Sequence, residues 1–299
     1  MAREIKNFAL ATAVCLALST HLAIGQTQTP VPSATAYYKA AIVAMQRLPE
    51  PVDLTYTTHF VNSGIHFGLF HAADHKVGLG FTIAPGVAAN GSVSYKTWTS
   101  LPAGSTLAVS ASGKRYLSHS PLFVPTWSGV FNLIRYGWSG PPRVNAPATA
   151  AAASLPVGMK TIAVVSAIGT GAYRVEDRGA AICPGGAPGH ALHLVPIFDP
   201  AEHHLSDVVI DTNNMRFCSM RFGINASIVA LGVIGYLDVH FASAGKYWLV
   251  HDTHMVLSLR SFGIQLKHGA TTISYPKMKF TTSFPRDLFV DAEAKGREF

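Results

Sequence analysis

Histidine is the side chain best placed to do chemistry in this sequence, with 14 copies in 299 residues. Imidazole titrates near neutrality and ligates metals, so spacing decides what the copies can do. His190 and His193 are three apart, as are His251 and His254 in His251-Asp252-Thr253-His254. On a strand that spacing points the two rings to opposite faces, which argues against joint ligation. His203-His204 with Asp207 falls in an expected turn. No pair matches H-E-x-x-H or a zinc spacing, so no metal and no cofactor is expected, and hydrogen-bonded or solvated histidines are the default. Serine nucleophiles fare no better. Gly91-Ser92 and Ser128-Gly129 do not complete G-x-S-x-G, a motif that needs a strand-to-helix turn. Asp207 and Asp211 are four apart and can share a strand face, but turn-end carboxylates that satisfy backbone donors are commoner than catalytic pairs. Gly185-Gly186-Ala187-Pro188-Gly189 has no following helix to hold a phosphate and reads as a flexible connection. No catalytic residue is therefore nominated.

Cysteine and aromatic residues carry the remaining signal. Of three cysteines, Cys15 lies in the leader described below, leaving Cys183 and Cys218. Neither belongs to a C-x-x-C pair, and in an oxidising compartment a lone pair is more often bridged than free. A disulfide between them is expected. Phe67, Phe81, Trp127, Phe131 and Trp138 are candidates to line an apolar cavity between sheet and helix. An ordinary packed core is the competing reading, since small-molecule pockets are themselves mostly apolar.

These residues sit in a charge-poor chain, only 13% Asp, Glu, Lys and Arg. That excludes a disordered protein and raises the question of a membrane protein. Residues 1–25 supply part of the apolar excess: Arg3 and Lys6 precede an apolar run from Phe8 to Ile24, and Ala23-Ile24-Gly25 offers small residues for cleavage. This pattern reads as a secretory signal peptide, too short and too interrupted for a span. Ile224–Leu237, broken by Asn225, and Thr161–Tyr173, interrupted by glycines, look like buried strands rather than spans. The mature chain is expected to be exported, periplasmic or extracellular, with no integral membrane span. Losing Arg3, Lys6 and Glu4 lowers the formal charge from +7 to +6. The basic residues are scattered and lack the aromatic interleaving of a nucleic-acid platform, so no nucleic-acid partner is expected.

The elements that must position these residues follow from periodicity. Residues 26–34 read as a Gln/Thr/Pro/Ser tether. Tyr37, Ala41, Ala44 and Leu48, widened by Tyr38, Ile42 and Met45, form a helical stripe capped by Ser33 or Thr35 and stopped at Pro49-Glu50-Pro51. From Val52 the period becomes two: Leu54, Tyr56 and Phe60 alternate with polar residues, and further strands are expected over 65–83, 92–99 and 105–118, with Ala111-Ser112-Gly113 as a turn. Trp127, Val130, Phe131 and Ile134 suggest a second amphipathic helix within Pro121–Trp138. Residues 141–156 are a Pro/Ala-rich loop. Strands resume over about 160–167, 171–178, 190–198, 206–211, 215–223, 226–242, 246–258, 260–267 and 270–284. Residues 291–299 are expected to fray. One domain, 35–290, is expected.

This order of elements resembles the periplasmic lipoprotein carrier superfamily, the LolA/LolB-like and LppX-like half-barrels. The stretch Tyr37-Tyr38-Lys39-Ala40-Ala41 to Leu48-Pro49-Glu50-Pro51, followed by Leu54-Thr55-Tyr56, looks like the helix-to-first-strand start of that group. His190 to Pro200 and then Leu205 to Asp211, ending in the turn Asp211-Thr212-Asn213-Asn214, is similar to a segment of uncharacterised exported bacterial members. The resemblance implies an α+β fold: a strongly curved, mostly antiparallel β-sheet, a half-barrel, wrapped around one or two helices. It also implies an apolar cavity for a lipid, another hydrophobic ligand or a lipid-modified partner. No functional residue of the family is transferred to this chain. The function expected is that of an exported non-enzymatic lipid-binding protein. Two alternatives stand beside it, a cell-envelope interaction or structural module with a filled core, and an envelope-directed hydrolase.

Overall fold

The computed structural model describes residues 33–64, 90–102, 105–113, 115–118, 125–127, 130, 173–197, 203–228, 231–285 and 288–289. The leader 1–25, nearly all of the tether, the strands expected within 65–83 and 160–167, most of the second helix, the loop 141–156 and the tail 291–299 lie outside the described residues.

The first helix, α1 (Ala34–Gln46), begins directly after Ser33, which therefore occupies the N-cap position. Its buried side chains are Tyr38, Ala41, Ile42 and Met45. The stripe is thus centred on Tyr38, Ile42 and Met45 together with Ala41, while Tyr37 and Leu48 lie at its border, packed against the core but partly exposed. Pro49 and Pro51 then release the chain into the sheet.

Among the described residues twelve strands follow: β1 (Asp53–Ser63), β2 (Gly91–Ser100), β3 (Ser105–Ser110), β4 (Arg115–Ser118), β5 (Tyr173–Ile182), β6 (Pro188–Pro196), β7 (Leu205–Asp211), β8 (Arg216–Ile228), β9 (Leu231–Ala244), β10 (Tyr247–Ser261), β11 (Ile264–Ser274) and β12 (Lys279–Thr281). All strand pairs are antiparallel. They form one curved, unclosed sheet in the order β4-β3-β2-β1-β11-β10-β9-β8-β7-β6-β5, with β12 also pairing β1. The fold is α+β. Most neighbours are consecutive hairpins, and the long step is β1 to β11, where His59 lies opposite Ser274.

Three expected boundaries move. The break expected near Asn225 does not exist: β8 runs through it, and the chain reverses between Ile228 and Leu231. Asn225 remains in the ladder opposite Ile234, so a polar residue here marks a face rather than a turn. The turn expected at His268-Gly269 is absent as well. The reversal is at Phe262-Gly263, between paired Ser261 and Ile264. The loop after Cys183 is a tight turn rather than a flexible connection. Gly186 N–H donates to the Cys183 carbonyl at 2.8 Å and Cys183 N–H to the Ala187 carbonyl at 2.9 Å, with Gly186 at φ +83°.

The core lies on the face that carries α1. Alternation places Leu54, Tyr56 and Phe60 of β1, Leu192 and Leu194 of β6, Phe217, Met220, Phe222 and Ile224 of β8, and Leu237, Val239 and Phe241 of β9 in one buried cluster with Tyr38, Ala41, Ile42 and Met45. Cys183 and Cys218 form the expected disulfide, tying the end of β5 to the start of β8 across two intervening strands. A bridge closing a loop of 35 residues stabilises by about 4 kcal/mol in the chain-entropy model.

Candidate functional site

The two faces of the sheet differ in chemistry, and each gathers some of the candidate residues. On the inner face, α1 makes its main contacts with β5 and β8. Tyr38 meets Phe217 with ring centroids 5.8 Å apart. Trp127 stacks on the same Phe217 at 5.8 Å and meets Phe241 at 6.2 Å. Val250 N–H donates to the Pro125 carbonyl, fixing the segment before Trp127 against β10. Trp127 is thus a buried part of the inner face. Phe67, Phe81, Phe131 and Trp138 lie outside the described residues.

The inner face is not uniform. Under α1 it is hydrocarbon and aromatic: Leu192, Leu194, Leu205, Val208, Ile210, Phe217, Met220 and Phe222 are all buried. Toward β11, β1 and β2 it carries buried hydroxyls and an amide. Tyr56 Oη lies 2.9 Å from Thr99 Oγ1, Thr58 Oγ1 lies 2.8 Å from Thr97 Oγ1, and Thr271 Oγ1 donates to Asn62 Oδ1 at 2.7 Å. Each group is satisfied by another across the ladder, which removes most of the cost of burying it. Burial pushes the phenols of Tyr38, Tyr56, Tyr173 and Tyr275 well above the ordinary tyrosine range, so they stay neutral. Sequence reading missed this polar strip. The signal was the run of Thr and Tyr at alternate positions in β1 and β2, which fits a solvated face equally well.

The outer face gathers the histidines and carboxylates. Glu176, His193, Asp207, Arg221, Asp238, His254 and Thr272 occupy successive register positions on β5 through β11. His193 Nδ1 donates to Asp207 at 2.7 Å. Arg221 grips Asp238 with two hydrogen bonds of 2.6 and 2.8 Å and lies over the Tyr236 ring. Beside this row, His240 Nδ1 and His251 Nδ1 donate to the two oxygens of Asp252, each at 2.7 Å. A bulge between Val250 and Asp252 puts His251 next to Asp252 on this face. The Asp252 hydrogen bond raises the His240 imidazole above its ordinary range, outweighing burial. Burial alone would raise Asp252, but the bonds from His240 and His251 hold its carboxyl below the usual value.

His190 and His193 face opposite sides as expected. His190 packs on Tyr37 of α1 and pairs with Asp177, while His193 pairs with Asp207. Two expectations are corrected. Asp207 lies within β7, where it holds His193, whereas His203 precedes that strand and packs on Tyr173. Asp207 and Asp211 hold separate partners rather than acting as a carboxylate pair, Asp207 accepting from His193 and Ser206. Asp211 instead closes the β7–β8 turn, accepting from Asn213 N–H and the Asn214 side-chain amide, both at 2.8 Å.

The outer row is self-compensated. Each carboxylate has a cation or imidazole partner, and cross-strand pairs of this kind set register. Among the described residues, no group of three His, Cys, Asp or Glu is arranged to hold a metal ion. Ser219, His240 and Asp252 do lie in register across β8, β9 and β10. Inside a sheet, however, the strand N–H groups are committed to the ladder, which leaves no free pair aimed at a developing oxyanion. The inner face is the stronger candidate for binding.

No protein-family model matches the chain, and no curated protein matches it. Among solved structures it is similar to a domain from Vibrio parahaemolyticus whose description concerns outer membrane lipoprotein sorting. The TM-score is 0.38 at 12% identity, covering 85% of this chain and 95% of that one. It is also similar to a DUF1329 family protein from Desulfovibrio piger, with a TM-score of 0.38 at 12% identity over 87% of this chain and 98% of that one. A LolA superfamily protein from Nitrosomonas europaea gives 0.32 at 12% identity, with coverage of 87% and 98%.

Proposed function

We propose that this is an exported, non-enzymatic binding protein that holds the acyl part of a lipid, or of a lipid-modified partner, on the inner face of its sheet. The observation that carries the reading is the extent and apolar character of that face. The apolar cluster runs from Tyr173 on β5 through β8, β9 and β10 to Phe60 on β1 and Tyr95 on β2. The 13 residues of α1 reach mainly β5 and β8. Those side chains are buried within the chain itself, so an acyl chain would take the place of part of their present cover, in a setting as apolar as small-molecule pockets are. The sequence's resemblance to lipoprotein carriers points the same way. Export is supported by the basic-apolar-small leader and by the Cys183–Cys218 bridge, a bond that persists in oxidising compartments. The mature chain is taken as one domain, residues 35–290.

Trp127 supplies the test, because it is rooted in this face between Phe217 and Phe241. Brominated fatty acids quench tryptophan on contact. A saturable loss of fluorescence is expected, and Trp127→Phe should remove a substantial part of it. Unchanged fluorescence at acyl concentrations below the micellar limit would favour the filled-core module instead.

A further inference from the structure

We propose that the end of the sheet bearing the β10–β11 turn docks on an anionic lipid bilayer, with Phe262 entering the membrane interface. The first observation is conformational. Phe262 and Gly263 form a two-residue hairpin loop between paired Ser261 and Ile264. Both have positive φ, +46° and +81°. That geometry is the one for which Asn-Gly is the favoured sequence, and a bulky side chain in the left-handed region is strained. The ring gains nothing inside the chain to offset this, since Phe262 is 89% exposed.

The surroundings are apolar and cationic. Ile264 is 68% exposed and Leu266 52% exposed, with Ile234 of β9 exposed nearby on the neighbouring hairpin. The two hairpin segments 222–237 and 253–276 contain no aspartate or glutamate in sequence; their only Lys or Arg residues are Arg260 and Lys267, both exposed. An apolar tip with flanking cations is the chemistry that enters the interface of an anionic leaflet. Among the described residues, pairing of β11 with β1 ends at Ala270 opposite Ser63, with Gly64 still against His268 and Gly269, and residues 264–268 are exposed. An extended edge could instead pair with a second copy. Lys267 on that edge opposes such pairing, since charged side chains, lysine above all, blunt exposed strands.

The inference does not depend on what the inner face holds. It is tested by co-sedimentation of the purified protein with vesicles of phosphatidylcholine containing roughly 30% phosphatidylglycerol, against vesicles of phosphatidylcholine alone. The anionic vesicles should carry the protein down, and added salt should weaken the association. Phe262→Asn places the favoured residue in the turn, so its melting temperature should hold or rise. Its vesicle affinity should nevertheless fall on the order of tenfold, the scale set by withdrawing a phenyl ring from an apolar environment. The double variant R260Q/K267Q should lose the preference for anionic lipid. A wild-type protein that stays in the supernatant, or a Phe262→Asn variant that binds like wild type, would overturn the proposal. So would sedimentation velocity showing a dimer that Phe262→Asn dissolves without any vesicle binding; the tip would then belong to a second copy.

Discussion

Asp252 accepts from two imidazoles at once, and that fixes how its contribution depends on pH. The His240 pKa is raised by the Asp252 hydrogen bond against the opposing effect of burial. Its stabilisation is therefore complete below the unfolded value, about 6.5, and is lost as pH rises through the folded value. Asp252 is depressed, since the bonds from His240 and His251 outweigh its burial. Its stabilisation is present above about 3.9, the unfolded value, and is lost as pH falls through the lower folded one. The cluster is strongest between these limits. Asp252→Asn is expected to cost about 1–2 kcal/mol near pH 5.5, the scale of a partly buried charge-assisted hydrogen bond. The difference should shrink above pH 8. Urea denaturation of both proteins across that range measures it, and a cost independent of pH would contradict the assignment. The composition of this cluster was on view in the sequence as His251-Asp252, but its third member was not. His240 reaches Asp252 only through the β9–β10 register and the bulge at His251, and neither has a local sequence signature.

At the scale of elements, what repeats locally could be read and what pairs at a distance could not. The helix stripe with its proline stop, and the alternation in β1, follow from side-chain direction alone. The hairpin ends did not, because Phe262 sits where Asn or Gly is usual and Asn225 sits inside a strand. The polar strip of the inner face depends on Asn62 meeting Thr271, 209 residues away. Packing between neighbouring strands sets a further constraint. A Cβ on Gly235 of β9 would collide with the Val256 carbonyl oxygen and crowd Leu257 on β10. Gly235→Ala is therefore expected to destabilise by about 2 kcal/mol or more, since backbone has to shift to admit the methyl. Thermal denaturation checks this. An unchanged midpoint would mean that β9 and β10 sit farther apart than described.

At the scale of the molecule, the described residues form one open sheet whose two edges, β4 and β5, are consecutive among the described strands, and the inner core and a covalent tie hold its strands together. The Cys183–Cys218 bridge fastens β5 to β8. Titration of denatured, unreduced mature protein should find no free thiol. Reduction should lower stability by about 4 kcal/mol, and two free thiols would rule the bridge out. Much of the apolar content that first raises the question of a membrane protein lies on the inner faces of alternating strands. Among the described residues no helix is long and apolar enough to cross a membrane. The central claim is that part of this inner face is covered by an acyl ligand. Native mass spectrometry of protein prepared without detergent tests it most directly. Bound species with masses of acyl lipids, released by organic solvent and restored on adding lipid back, are predicted. A single ligand-free mass that no added lipid shifts would contradict the account.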